Sequence, residues 1–386
     1  MQLLPGGTDD DEIDPTEGDD GVATIYGGAS CRIGGGGPAP YRLLGEVPVG
    51  LDPEGIAVHR RTGMAYVSCS RSNAVAVVDI DRLALVAEVP VGIEPIDIAI
   101  DHQHDRVFTA DARSDRVTVI DAATNQVTAT IPVGSYPAGL CIDEEGRRLY
   151  VGDAVSSTMS VIDLDLLERI ATVEAELGAG AVTADPIHGR VYCVNFVASS
   201  VTVVDAKELE VVARVPLLQG PCAAGADPVH GDVFVADSLA STVTRIDGAT
   251  STIAGEMPVP NAPVGLTVGS TGDRLYVANR GDGSVSVLGI DGREWARIPV
   301  GAAPGGVTED PRRRGRVLVA NAGSSSISVV EDLLDGPPTT TLEELDHPLV
   351  GQQLPRIPLV DLWTEELRDL GEWAGRKYVV NVFASW

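Results

Sequence analysis

An all-β fold, a seven-bladed β-propeller, is predicted by three observations. A Pro-x-Gly-like turn recurs at Pro53, Pro95, Pro137, Pro221, Pro263 and Pro304, with gaps of 42, 42, 84, 42 and 41 residues, and Ala179 fills the middle of the double gap. Each unit holds four short runs rich in Val, Ile and Thr with period-2 alternation, punctuated by Gly, Pro and Asp, which is strand and turn chemistry. The seventh unit has only three such runs, and one unmatched run precedes the first unit. A period near forty residues also suits stacked helix pairs, but a Pro-Val-Gly in most units would break a helix there.

The chain has 386 residues, 28 Lys and Arg against 56 Asp and Glu, and a net charge of −28. So acidic a surface repels phosphate backbones and anionic lipid, so no nucleic-acid partner is expected. Pro and Gly interrupt every apolar run before the ~18 residues a membrane span needs. Residues 1–40 carry Asp9, Asp10, Asp11, Glu12, Asp14, Glu17, Asp19 and Asp20, no Lys or Arg before Arg32, and end in Gly34-Gly35-Gly36-Gly37. They read as a disordered acidic tail and flexible linker. A secretory leader needs a basic start and an apolar stretch, and neither is present. That predicts a cytoplasmic chain, or an extracytoplasmic one if the start codon is misassigned. The cysteines, Cys31, Cys69, Cys141, Cys193 and Cys222, show no CxxC and no zinc spacing, so reduced and mostly buried thiols are expected.

Within a unit the order is regular. A first strand such as Gly139-Leu140-Cys141-Ile142-Asp143 leads to a hairpin turn, as in Asp185-Pro186-Ile187-His188-Gly189. A second strand ends in Asp or Asn, as in Leu149-Tyr150-Val151-Gly152-Asp153; a third reads Val201-Thr202-Val203-Val204-Asp205, and a fourth Val127 through Gly134. The last unit stops after Ile327-Ser328-Val329-Val330, whereas Arg42 through Gly50 has the fourth-strand pattern with no unit of its own. Pairing the two closes the ring and removes open edges. The propeller is thereby placed at 41–334.

These residues carry a resemblance. The Pro-x-Gly-Ile-Ala, Leu-Tyr-Val-Ala-Asn, Val-Ser-Val-Ile-Asp and Ala-Thr-Ile-Pro-Val-Gly pattern resembles the YVTN-type propeller repeat, a relative of NHL-type propellers, over residues 41–332. The resemblance implies an interaction or scaffold module, with a minority of such proteins being lyases or lactonases.

First-strand starts and second-to-third turns share one rim. That rim collects Asp52, Glu94 and Tyr136, and the strand ends Cys69, Asp111, Asp153, Asn195, Asp237, Asn279 and Asn321. Arg71, Arg113 and Arg280 follow three of them. Asp and Asn recurring in nearly every unit are expected to bond their own turn backbone. Asp52, Glu94, Arg71 and Arg113 are less repetitive and form the candidate ligand site, for a protein or a small molecule, beside blades 1 and 2. Cys69 departs from its column as a substituted turn residue. Cys141 and Cys193 should pack as small apolar groups, and His188 and His230 should be solvated turn residues on the opposite rim. No Ser-His-Asp set, phosphate loop or metal pattern occurs, so no catalytic residue, metal or cofactor is assigned, and a monomer is expected.

After a linker at 335–348 the pattern changes. Leu349-Val350-Gly351-Gln352-Gln353-Leu354-Pro355, then Gly375-Arg376-Lys377-Tyr378-Val379-Val380-Asn381-Val382-Phe383-Ala384-Ser385-Trp386, resembles the start of a redoxin or TlpA-like thioredoxin fold, an incomplete α/β segment at 349–386. In that family a Cys-x-x-Cys follows at once, its first thiol activated at a helix N-terminus. The sequence stops at Trp386, where that cysteine would stand. A fragment, a nonsense codon and a UGA read as a stop in place of selenocysteine each account for it. The expectation is therefore a propeller module joined to a thiol-disulfide or selenol redox domain in the uninterrupted product. A propeller interaction platform with a relic C-terminus, and a rim lyase or lactonase at blades 1 and 2, are the other two.

Overall fold

A computed structural model describes residues 40–334 and two short strands, Pro358–Val360 and Leu367–Asp369, which pair antiparallel. The expected acidic tail, the linker at 335–348, the strand at Val379–Phe383 and the rest of the redoxin-like segment lie outside the described residues. No helix among the described residues is long and apolar enough to cross a membrane.

Residues 40–334 form seven four-stranded antiparallel sheets. Blade 1 runs outward from a central channel as Pro53–Val58, Met64–Cys69, Ala74–Asp79 and Ala84–Pro90. Blades 2 to 6 repeat it, with first strands at Pro95–Asp101, Pro137–Asp143, Ala179–Asp185, Pro221–Ala226 and Pro263–Val268. Blade 7 takes Pro304–Glu309, Arg316–Asn321 and Ser326–Asp332 from the C-terminal side and Tyr41–Pro48 from the N-terminal side. In that closing pair Leu43 lies opposite Val330 and Val47 opposite Ile327, with a bulge between Leu43 and Gly45. Arg42 adds an ion pair to Glu331.

The core is divided into seven wedges, each shared by two neighbouring blades. Alternation explains why: a sheet packed on both faces must be apolar on both, and the second and third strands are buried almost throughout. The outer strands read differently. Each turns one apolar residue inward near its end, Val47, Val89, Ile131, Val173, Val215, Met257 and Ile298, all buried. Most of those strands end on a proline, which offers no N–H to a passing edge. In the second strand of blades 1 to 6 an aromatic fills the space between blades, and in blade 7 Leu318 takes its place. Where the aromatic is tyrosine, its hydroxyl donates to the next blade, Tyr66 to Ala122 O at 3.2 Å, Tyr150 to Ala206 O at 3.1 Å and Tyr276 to Asp332 Oδ2 at 3.0 Å. These bonds fix the angular step from blade to blade.

The wedge between blades 7 and 1 depends on a strand more than 270 residues away in sequence from its partner, through residues such as Val47, 2 % exposed. Val47→Asp would bury an unpaired carboxylate there and should lower unfolding stability in urea by about 3 kcal/mol or more. Leu43→Asp on the same strand, at a position 49 % exposed, should change it by less than about 1 kcal/mol.

Candidate functional site

The chain turns into each first strand through one residue in the left-handed backbone region. The seven are Asp52, Glu94, Tyr136, Gly178, Gly220, Ala262 and Ala303, with φ from 48° to 80°. Each offers its carbonyl to the N–H that follows the second strand, as in Ser70 N to Asp52 O at 3.0 Å and Ala112 N to Glu94 O at 2.9 Å. The conformation is therefore a requirement of the repeat, and it holds these side chains at the mouth of the channel. Asp and Asn tolerate it, while Glu and Tyr carry a penalty of ~1 kcal/mol each.

The four candidate residues meet as two ion pairs in equivalent places. Arg71 Nε lies 3.5 Å from Asp52 Oδ2, and Arg113 Nε lies 2.9 Å from Glu94 Oε2. Tyr136 of blade 3 donates its hydroxyl to Glu94 Oε1 at 2.7 Å. Burial, and then this bond to the carboxylate, raise the tyrosine pKa. Four further residues complete the mouth and channel: Glu54, Asp97, Phe196 and Arg280. Arg280 of blade 6 reaches across to Glu54 of blade 1, Nη2 to Oε1 at 3.6 Å. A Cβ at Gly306 would come within 2.3 Å of Glu54 O. Burial raises the Glu54 carboxyl, Arg280 opposes it, and the charges of Asp52 and Glu94 add to the rise.

Behind the mouth the first strands enclose a channel of about 700 Å³. Its wall is mostly apolar, with Glu54, Asp97 and Arg280 as its charged members. The surrounding face is divided. Positions held by Arg71 and Arg113 in blades 1 and 2 are held by Val155, Val197 and Leu239 in blades 3, 4 and 5, at 70 %, 66 % and 71 % exposure. Leu177 and Phe196 extend this apolar arc, 63 % and 46 % exposed. Val197 and Leu239 rest against Gly178 and Gly220, where a Cβ would come within 2.7 Å of them. Arginine pairs thus sit on one side of the mouth and aliphatic side chains on the other.

Residues 51–229 match the YNCE-like beta-propeller family. No curated protein sequence matches the chain. Among solved structures, a chain of the hydrazine synthase of Kuenenia stuttgartiensis superposes with a TM-score of 0.67 at 21 % identity, over 74 % of this chain and 96 % of that one. Identity this low shows a shared fold alone.

The polar ends of the second strands behave differently from the expectation of bonds within their own turn. They are buried and bind the hydroxyls of the third strand five and seven residues on. Asn195 donates to Ser200 at 3.1 Å and Thr202 at 3.0 Å, Asn279 to Ser286 at 2.9 Å, and Asp153 accepts from Ser160 at 2.7 Å. Some also accept an N–H from the preceding chain, as Asp111 does from Gly92 and Asp153 from Gly134, both at 3.1 Å. The reason is topological: the strand end points between two sheets, where the nearest partners are across the strand. In blade 1 Cys69 has Ala74 and Ala76 at those two offsets, so the whole polar node is replaced by an apolar one. Burial pushes the Cys69 thiol up to about 11, and those of Cys141 and Cys193 to about 12.

On the opposite rim, His188 and His230 lie in turns as expected, His230 with its side chain 57 % exposed, and each bonds the carboxylate at the end of or just after its first strand, Asp185 or Asp227, at 2.7 Å. Among the described residues no group of three His, Cys, Asp or Glu could hold a metal.

Burial raises the Asp237 carboxyl to about 6, against bonds from Thr244 at 2.6 Å and Thr242 at 3.5 Å. The folded chain therefore holds this proton more tightly than the unfolded chain, whose carboxyl has a pKa of about 4. Its contribution to stability falls as pH rises through that window. Asp237→Asn installs the amide found in blades 4, 6 and 7. It should raise urea stability at pH 7.5 by about 1–2 kcal/mol, with the gain shrinking towards pH 4.

Proposed function

We propose that the propeller is a non-catalytic interaction module, and that it seats a protein partner on the channel-mouth face. The observation that carries this reading is the division of that face, with the repeat otherwise constant. Val155, Val197, Leu239, Leu177 and Phe196 stand exposed together on one arc, and contiguous exposed apolar side chains on a soluble chain mark contact surfaces. The arginine pairs of blades 1 and 2 supply a polar flank that sets orientation. The partner is a protein segment with an apolar ridge facing blades 3 to 5 and polar groups facing Arg71 and Arg113. Because Asp52 and Glu94 each already face an arginine, they serve better as docking charges than as the free base a lyase or lactonase would need.

The redoxin resemblance of residues 349–386 extends the reading to a partner presented for thiol-disulfide or selenol exchange. The coding sequence beyond codon 386 tests that extension. An in-frame Cys or UGA codon followed by the remainder of a thioredoxin fold is the expected finding, and a frame without them would reject it.

The docking face itself is tested with a photo-crosslinking residue at Val197, and as a control at Val86 on the outer strand of blade 1, 54 % exposed. One discrete adduct in cells should form from position 197 and not from 86. It should fall at least tenfold when Val155 and Leu239 are both changed to Asp. Equal adducts from both positions, or an adduct indifferent to the Asp changes, would contradict the reading.

A further inference from the structure

One carboxylate in the channel has no explanation in the repeat. The column of equivalent positions at the channel wall reads Gly55, Asp97, Gly139, Ala181, Ala223, Gly265 and Gly306. Small residues are required there because neighbouring first strands nearly touch. A Cβ at Gly139 would lie 2.5 Å from Gly180 O, one at Gly265 2.0 Å from Gly305 O, and one at Gly306 2.3 Å from Glu54 O. Only blade 2 places a charged group in this ring.

Asp97 is half-buried, and among the described residues its hydrogen bonds come from backbone N–H groups. Oδ1 accepts from Ile98 N and Oδ2 from Leu140 N, both at 2.8 Å. These bonds use both oxygens as acceptors of neutral donors and bring no opposite charge to the carboxylate. Among the described residues no Lys, Arg or His forms an ion pair with it, whereas Glu54, the other carboxylate of the wall, faces Arg280 at 3.6 Å. The wall therefore carries one uncompensated negative charge, and burial pushes the Asp97 carboxyl up to about 6 as a consequence. Ile96, Tyr136 and Phe196 line the same cavity.

A cavity of about 700 Å³ with apolar walls and one or two polar groups is the form of a small-molecule site. An anion would be repelled by Asp97, and a neutral apolar ligand would leave its charge unanswered in a drier wall. A cation answers the charge, and aromatic faces favour it further. We propose that the central channel binds a small organic cation, with its ammonium or amidinium group at the Asp97 carboxylate and its apolar body along the channel wall. This inference shares Phe196 with the outer face but does not require a protein partner there.

Isothermal titration of the full chain at pH 7.5 with benzyltrimethylammonium, benzamidine, benzyl alcohol and phenylacetate tests it. At least one of the two cations should bind, at least tenfold more tightly than the alcohol or the anion. Asp97→Asn, which keeps the size and one acceptor, should weaken that cation at least tenfold, whereas Glu88→Gln, at an exposed position on the outer strand of blade 1, should change it less than threefold. Phe196→Ala, at an exposed position that does not threaten folding, should weaken it severalfold and keeps the test open if Asp97→Asn is unstable. Absence of cation binding up to millimolar concentration, equal binding of all four probes, or an Asp97→Asn protein that folds and binds unchanged would each overturn the proposal.

Discussion

Pairing of Tyr41–Pro48 with Ser326–Asp332 is the constraint on which the other contacts depend. Each core wedge belongs to two blades, so no blade owns a complete core, and an open row of seven would leave two half-wedges in water. Closure turns seven interdependent interfaces into one ring. It also sets the radius: seven wedges filled mainly by Val, Ile and, in blades 1 to 6, a second-strand aromatic leave the first strands far enough apart for a channel and close enough to demand small residues along it.

Function-bearing features arise where individual blades depart from that shared geometry. The left-handed turn before each first strand recurs around the ring for structural reasons, yet it projects whatever side chain it carries towards the mouth. Asp52, Glu94 and Tyr136 use this platform, while Gly178 and Gly220 leave space that Val197 and Leu239 cover. The arginine side and the aliphatic side of the mouth are thus products of substitution at two columns of the repeat. The channel carboxylate is a substitution at a third.

Much of this was legible in the sequence because the repeat is strict. A spacing of 42 residues with Val, Ile and Thr alternation is enough to specify blades, and counting strands in the first and last units is enough to specify how they join. Asp52, Glu94, Arg71 and Arg113 stood out together as departures from a repeated pattern, and the structure pairs Arg71 with Asp52 and Arg113 with Glu94. The strand-end Asp and Asn residues depart from the turn bonding that their local motif implies because the neighbouring strand offers closer partners; the Ser and Thr five and seven residues on are the sequence signal for them. Arg280 was already visible as one of three arginines following a strand end, whereas Asp97 and Glu54 escaped for another reason. Each is unremarkable in its own unit and becomes visible only when the seven units are stacked in columns, where a lone acid falls among glycines and alanines.

Hydrogen exchange of backbone amides tests the closure account most directly. If the N-terminal strand is an integral member of blade 7, amides of residues 41–48 that bond to Ser326–Asp332 exchange as slowly as those joining Arg316–Asn321 to Ser326–Asp332, and both lose protection together as denaturant rises. Exchange of residues 41–48 at rates near those of an unstructured peptide, while the other blades stay protected, would contradict it.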